Sequence, residues 1–194
     1  MAYSRKMIQL LDGSQEEKLI LEEQAIDDDF YYGYLGKAAL SSSSLKQLLQ
    51  SPKTYHYLQK YAQQDTKSLL IGKLFHWAIL EPHKMDEVHV VDVQSRNAKA
   101  FKEAKEEHSM VITKKEEEEI RRLQDAMLRN EKVLSYLKGA QFEVPCVDML
   151  GGYAFRAKAD IIQDGHIIDL KSTTDLNAFR YSARKYGYDV QCYL

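Results

Sequence analysis

Near the C-terminal end of the chain, Asp160, Asp169 and Lys171 are the residues whose types and spacing could do chemistry. Between the two aspartates lies Asp164-Gly165, a strong tight-hairpin signal flanked by alternating segments. With a two-residue turn Gln163 faces His166, and the pairing carried outward sets Asp160 directly opposite Asp169. Side chains alternate along a strand, so Lys171 shares the face of Asp169, with Lys158 expected across from it. A four-residue loop keeps this register and a three-residue loop does not. Directly opposed residues have Cβ atoms about 4.5–5.5 Å apart, and like charges there are destabilising unless something neutralises them. A divalent cation does so: Mg²⁺ is held by one or two carboxylates together with water and substrate phosphate. A lysine on the same face can hold the attacking water and offset charge on a phosphorane-like transition state. These are the parts of metal-assisted phosphodiester hydrolysis.

A plainer account competes with this one. Asp-x-Lys on a strand is common, and alone it describes an ion-pair face on a half-buried sheet. The neighbours shift the balance: Ile167, Asp169 and Lys171 follow one face while Ile168 and Leu170 fill the other, and Ala157 and Ala159 keep the opposite face of the preceding strand small. The acidic pair is then set beside a core. His76 sits in the apolar run Leu74-Phe75-His76-Trp77-Ala78-Ile79-Leu80, where residue type alone favours a core histidine with one satisfied hydrogen bond. Of 13 tyrosines, Tyr55, Tyr57 and Tyr61 cluster on one helix and Tyr181, Tyr186, Tyr188 and Tyr193 near the C-terminus. Packing with a wet hydroxyl is the expectation for most, and base stacking is the lesser reading.

The elements that must position these residues change period along the chain. Residues 1–40 mix acidic runs with an aperiodic Tyr/Gly segment and read as an arm or loosely packed edge. A serine ahead of Leu45, Leu48 and Leu49 reads as a helix cap; residues 44–63 are helical with an interruption at Pro52, and 68–80 form a second helix stopped by Pro82. A short strand is expected at 87–93, then a mobile Lys/Glu-rich stretch to about 110. From Thr113, with Glu116 completing a capping box, one long helix is expected, buried along Ile120, Leu123, Met127, Leu134 and Leu137 and ended by Gly139. Strands at 141–149, 153–162 and 166–171, joined by Gly151-Gly152 and Asp164-Gly165, form an antiparallel meander. Ser172-Thr173-Thr174-Asp175 opens a last helix carrying Phe179, Ala183, Tyr186 and Val190, with Gly187 as a break. The chain stops in an apolar periodic segment with no stop signal, which reads as a fragment of a longer protein.

With 194 residues the chain holds one well-buried domain, and 44% apolar with 29% charged residues is ordinary for a globular protein. A net charge of -2 argues against a nonspecific polycation but leaves room for a local basic groove. No stretch approaches the roughly 18 apolar residues of a membrane span, and the N-terminus lacks a signal-peptide apolar region, so a cytoplasmic protein without a membrane partner is expected. Cys146 and Cys192 stand far apart in no metal-binding spacing and read as plain thiols.

Several short motifs occur in a telling order. Ser42-Ser43-Ser44-Leu45-Lys46 through Ser51-Pro52 and Tyr55 comes first, then Gly72-Lys73-Leu74-Phe75-His76 with Leu80-Glu81-Pro82. Glu143 follows on the first strand of the meander, then Arg156-Ala157-Lys158-Ala159-Asp160, Asp169-Leu170-Lys171-Ser172-Thr173 and Gln191. From residue 41 to 194 this order resembles the RecB-like branch of the PD-(D/E)XK nuclease superfamily, most of all the exonuclease VIII (RecE-type) exonucleases of prophage recombination systems. The resemblance implies an α/β (α+β) fold: a restriction-endonuclease-like core, with a mixed, mainly antiparallel sheet flanked by helices and a helical N-terminal half. It implies residues 41–194 as the nuclease domain, incomplete at its C-terminus, and residues 1–40 as an N-terminal arm. It implies Asp160, Asp169, the Leu170 carbonyl and His76 as ligands of Mg²⁺, with Mn²⁺ as substitute, and Lys171 serving the nucleophilic water. Gln191 matches the start of a QxxxY motif and joins the catalytic set. Ala159 replaces the usual proline before the first aspartate, and the tyrosine of QxxxY falls after Leu194. The cysteines of the iron–sulfur relatives are absent. The implied substrate is double-stranded DNA ends, degraded in recombination or phage DNA processing, with a single-strand annealing protein as partner and a homo-oligomeric ring as assembly. A structure-specific endonuclease, a catalytically silent DNA-binding or docking module, and an unrelated α/β domain with His76 remote from both aspartates stay open as alternatives.

Overall fold

The computed structural model describes residues 6–61, 66–173 and 175–193. Strands β1 (Met7–Gln9) and β2 (Gln15–Glu17) lead into α1 (Lys18–Gln24), a π-helical turn (Asp29–Tyr34), α2 (Leu35–Ala38), α3 (Ser42–Gln50) and α4 (Pro52–Lys60). Next come α5 (Lys67–Leu80), a 3-10 segment (Pro82–Glu87), β3 (His89–Val91), α6 (Lys99–Glu107), β4 (Val111–Thr113), α7 (Lys114–Leu128) and α8 (Glu131–Leu137). The chain ends in β5 (Gln141–Leu150), β6 (Tyr153–Gln163), β7 (His166–Ile168), α9 (Phe179–Lys185) and α10 (Tyr188–Tyr193). Two compact units result, Met1–Gln63, Glu143–Ala159 and Thr173–Leu194 in the first, Gln64–Phe142 and Asp160–Ser172 in the second. Among the described residues no helix is long and apolar enough to cross a membrane.

In the first unit, the segment expected to be loosely packed supplies most of the core. Ile8, Leu10, Leu21, Ala25, Tyr31, Leu35, Ala38 and Ala39 are buried together with Val147 of β5 and Ala154 of β6. No long period announces this, because the elements are three to seven residues long and their partners lie more than a hundred residues away. Polar ties complete the attachment: Glu22 accepts from the Val147 amide at 3.1 Å, and Lys6 and Lys18 both bind the Asp148 carboxylate. Leu40 forms a parallel bridge to Phe155, its amide donating to Ala154 and its carbonyl accepting from Arg156. With the antiparallel order β5-β6-β7, that bridge makes the sheet mixed and mainly antiparallel, as expected of this α+β class. Gly151 and Gly152, at φ 58° and 86°, turn β5 into β6 with the two positive φ values that such a hairpin needs. Ser41, not Ser44, caps α3, and Ser51 caps α4 with Pro52 in its first turn, where a missing N–H costs nothing.

The second unit is built on α5 and α7. Leu70, Ile71, Leu74 and Ala78 of α5 are buried with Ile112 and Ile120, and Gln124 of α7 donates to the Ala78 carbonyl at 2.9 Å. Strands β3 and β4 pair in parallel, His89 with Val111 and Val91 with Thr113. A parallel pair needs a crossover, and α6 is that crossover. The stretch read as mobile is therefore a helix held by buried Phe101, followed by a wholly buried strand. Thr113 and Glu116 form the expected capping box, and Arg96 binds the buried Glu116 at 2.9 Å. The helix expected to run on to Gly139 breaks instead at Asn130, whose side chain accepts from the amides of Lys132 and Val133 and starts α8. Leu134, read as part of the buried stripe, is 43% exposed in consequence.

Candidate metal centre

The hairpin β6–β7 decides where the acidic groups fall. Asp164 and Gly165 adopt φ 49° and 76°, a two-residue turn, and the ladder pairs Gln163 with His166, Ile162 with Ile167 and Ile161 with Ile168. The expected register therefore holds over these three pairs, and one further step of it would set Asp160 against Asp169, although the strand expected to reach Lys171 ends at Ile168. Pleating separates the faces: Ile161 is 2% exposed and Ile167 75%. The two aspartates share the face of Ile162 and Ile167, while Ile161, Ile168 and Leu170 take the other. β7 ends at Ile168, one residue short of Asp169, because Asp160 itself replaces the next backbone partner. Its Oδ2 accepts from the Leu170 amide at 2.7 Å.

Helix α5 brings the histidine. Its run of buried Leu70, Ile71, Leu74, Phe75 and Ala78 fixes the helix, leaving His76 half-buried. One turn earlier, a Cβ on Gly72 would meet Ser172 Oγ at 3.5 Å, so the segment leaving the hairpin passes along this face of α5. The His76 ring then reaches it directly: Nε2 lies 2.6 Å from the Leu170 carbonyl oxygen and Nδ1 lies 3.6 Å from Asp160 Oδ2. A carbonyl only accepts, so Nε2 donates in this contact, and Nδ1 lies beside the carboxylate. Histidines that ligate metals are held this way, with the other ring nitrogen donating to a backbone carbonyl. The Leu170 carbonyl retains a second lone pair.

The Lys171 ammonium lies 2.8 Å from one Asp169 oxygen and 2.7 Å from the other. Burial pushes the Asp160 carboxyl above the ordinary carboxylate range. His76 and the Leu170 amide oppose the shift, the Asp169 charge adds to it and Lys171 opposes it. Among the described residues no lysine or arginine forms an ion pair with Asp160. Both oxygens of Asp169 face the Lys171 ammonium, while around Asp160 the donors are a carboxylate, a carbonyl and an imidazole. That is hard-oxygen chemistry with one nitrogen, which suits Mg²⁺ and, because of the imidazole, Mn²⁺.

Of the residues singled out in the sequence, His76, Asp160 and Leu170 meet in the second unit, and Asp169 and Lys171 of the same unit pair with each other. His76 is not remote from the aspartates, as an unrelated domain would have it. Lys158 departs from expectation. Its side chain is buried in the first unit, bound to Asp28 at 2.8 Å and lying 4.5 Å from the centre of the Tyr31 ring. The N-terminal segment captured it, a partner that no hairpin register could announce. Gln191 lies on α10 of the first unit. Glu143, on β5 of that unit, holds φ 50°, a left-handed conformation that costs a non-glycine residue about 1 kcal/mol or more. Thr174, in the cluster read as opening the last helix, and Leu194 lie outside the described residues, and that helix begins only at Phe179, with the expected break at Gly187.

No curated protein and no solved structure matches the chain. Residues 41–194 match the family described as the PDDEXK-like domain of unknown function (DUF3799). The α+β architecture agrees with the restriction-endonuclease-like class of such domains, and a nuclease-type, metal-binding domain is what the match supports. Covering all but the first forty residues, it makes this chain a member of the PDDEXK-like family.

Proposed function

We propose that the protein is a metal-dependent DNA exonuclease that hydrolyses phosphodiester bonds at duplex ends, in recombination or phage DNA processing in the cytoplasm. One observation carries the reading: Asp160, with no basic ion-pair partner of its own among the described residues, converges with the Leu170 carbonyl and His76 at the end of the hairpin that also carries the Asp169–Lys171 pair. Asp160, Asp169, the Leu170 carbonyl and His76 would hold Mg²⁺, with Mn²⁺ as substitute. Bound there, the cation supplies Lewis-acid polarisation of the phosphate and neutralises the paired carboxylates. Asp169 holds the Lys171 ammonium in place, and that ammonium orients the attacking water and offsets the negative charge gathering on phosphorus. Water adds to phosphorus, the bond to the leaving oxygen breaks, and that oxygen takes up a proton. Gln191 belongs to the catalytic set in this reading. The motif order shared with the exonuclease VIII type supports end-directed digestion, a homo-oligomeric assembly and a single-strand annealing partner. Residues 41–194 form the catalytic domain, and side chains between Ile8 and Ala39 complete part of its core.

Incubating the full chain with linear and closed circular duplex DNA in Mg²⁺ tests this. Linear DNA is degraded and circles survive; Asp169→Ala degrades neither. Cutting of closed circles turns the reading to an endonuclease on the same fold. Equal cleavage by wild type and Asp169→Ala, or none by wild type, overturns it.

A further inference from the structure

Although the chain is acidic overall, residues 30–64 contain no aspartate or glutamate and carry Lys37, Lys46, Lys53 and Lys60. Residues 176–188 are likewise free of acidic groups and carry Arg180, Arg184 and Lys185. These two stretches come together in the first unit, where α4 packs on α3, α3 on α10 and α10 on α9. The approach is close: a Cβ on Gly187 would lie 3.0 Å from the Lys46 side chain. Asp189 of α10 is the one acidic residue within the four helices, against Lys46, Lys53, Lys60, Arg180, Arg184 and Lys185, so the layer concentrates positive charge that the composition as a whole conceals.

Tyrosines stand on the same layer, and they are not packed. Tyr57, Tyr61, Tyr181, Tyr186 and Tyr193 are each more than half exposed. On α4, Lys53, Tyr57 and Lys60 recur at three- and four-residue intervals and so share one side of the helix, and Tyr61 follows as its C-cap. The Tyr57 and Tyr61 rings lie 4.7 Å apart, and Lys185 lies 5.5 Å from the centre of the Tyr186 ring. Rings left in water cost hydrophobic free energy unless something covers them, and the surrounding lysines and arginines disfavour an apolar protein cover. A polyanion that also carries flat rings satisfies both features. A duplex offers phosphates but keeps its ring faces stacked inside; an unpaired strand offers both.

We propose that the α3–α4–α9–α10 layer is a binding surface for single-stranded nucleic acid, with the lysines and arginines tracking phosphates and Tyr57, Tyr61, Tyr181 and Tyr186 stacking on unpaired bases. It belongs to the unit that does not contain Asp160 and Asp169, and it stands whether or not those residues support cleavage.

Fluorescence anisotropy of the full chain in EDTA tests it without any reaction, using a labelled oligothymidylate about 20 nucleotides long, a duplex of equal length and phosphatidylserine vesicles. The oligothymidylate binds more tightly than the duplex. Tyr57→Ala with Tyr61→Ala weakens it about tenfold or more, while Tyr57→Phe with Tyr61→Phe retains it, since stacking needs the ring and not the hydroxyl. Lys53→Gln with Lys60→Gln lowers the slope of log K against log salt by about 1.4, roughly 0.7 for each phosphate that a lysine no longer neutralises. Equal affinity of the alanine pair and wild type, a preference for duplex, or binding confined to the vesicles overturns the proposal. Loss of DNA cleavage in a separate assay would touch only the nuclease reading.

Discussion

Asp148 and Asp160 lie on neighbouring strands of one meander and meet opposite fates. On β5, Asp148 is bound by Lys6 and by Lys18 at 2.9 Å, and these ammonium groups hold its carboxyl well below the usual carboxylate range. On β6, Asp160 has a histidine ring, one backbone amide and a second aspartate around it, and burial pushes its carboxyl above that range. The first carboxylate is completed by the protein, so an added cation would have to displace two lysines. The second has no lysine or arginine ion-pair partner among the described residues, so a cation from solution has no bound ammonium to displace there. What separates a structural acid from a site acid here is the company each keeps, since both are aspartates on strands of a single sheet.

Activity gives the sharpest way to break this comparison. Asp160→Ala and Asp169→Ala are each expected to lower DNA hydrolysis by roughly a thousandfold or more, the scale of losing a central electrostatic element of a site. Asp148→Ala is expected to leave the rate within about twofold, because Asp148 touches only lysines and its own strand. A nuclease assay on linear duplex decides; if Asp148→Ala and Asp160→Ala lose activity equally, the distinction fails.

Metal binding comes next in size. Mn²⁺ at about a hundredfold excess over its Kd should stabilise the fold by about 2.7 kcal/mol, about 5–10 °C in Tm for a chain of this length. Asp160→Asn should abolish that shift and Asp148→Asn should retain it. Calorimetric unfolding with and without Mn²⁺ reads both. A shift surviving in Asp160→Asn would place the cation elsewhere.

The same contrast explains what the sequence makes legible. The site hairpin was legible because its determinants are local: Asp164-Gly165 dictates the turn, the turn dictates the register, and alternation dictates the face. The helix from Thr113 was legible at its start for the same reason, a capping box four residues long. Its end was not, because Asn130 acts through its side chain and not through any break in apolar period. Asp148 could not be recognised as structural, since its partners Lys6 and Lys18 come from a segment whose folding rests on contacts with β5 and β6. Lys158 failed likewise, drawn away by Asp28. The tyrosines failed because exposure depends on which helices pack, and α4 buries none of its residues. His76 was legible only through the motif order: residue type argued for a core position, whereas the ring bridges the Leu170 carbonyl and the neighbourhood of Asp160.

A smaller effect sharpens the structural half of the comparison. Asp148 and its lysines are partly exposed, so the pairs are screened and Asp148→Asn should cost at most about 1 kcal/mol, about 2–4 °C in Tm. The loss should shrink in high salt, as screening of exposed pairs requires. Thermal unfolding at low and high ionic strength checks it, and a salt-independent loss would mean that Asp148 acts through packing.

The smallest expected effect concerns the metal-free protein and pH. Because the Asp160 carboxyl has its folded-state pKa raised above 3.8, the folded chain binds that proton more tightly than the unfolded chain does. Its contribution therefore turns more favourable as pH falls from neutrality through the raised pKa toward 3.8, and is a penalty above that window. Asp148 has the opposite sign: its stabilisation is complete above 3.8 and is lost as pH falls below it. The two do not overlap, so the upper window reports on Asp160. Asp160→Asn keeps an oxygen to accept from the Leu170 amide but carries no charge at any pH. In EDTA it should be more stable than wild type at neutral pH, with the difference closing as pH falls toward 3.8, where wild type is protonated as well. Saturating Mn²⁺ should reverse the order at neutral pH, since only the ionised wild type holds the cation. Tm measured across this range for both proteins, with and without metal, is the test. A difference that stays constant with pH would show that the Asp160 charge costs the fold nothing, and with it would go the reason for expecting a cation there.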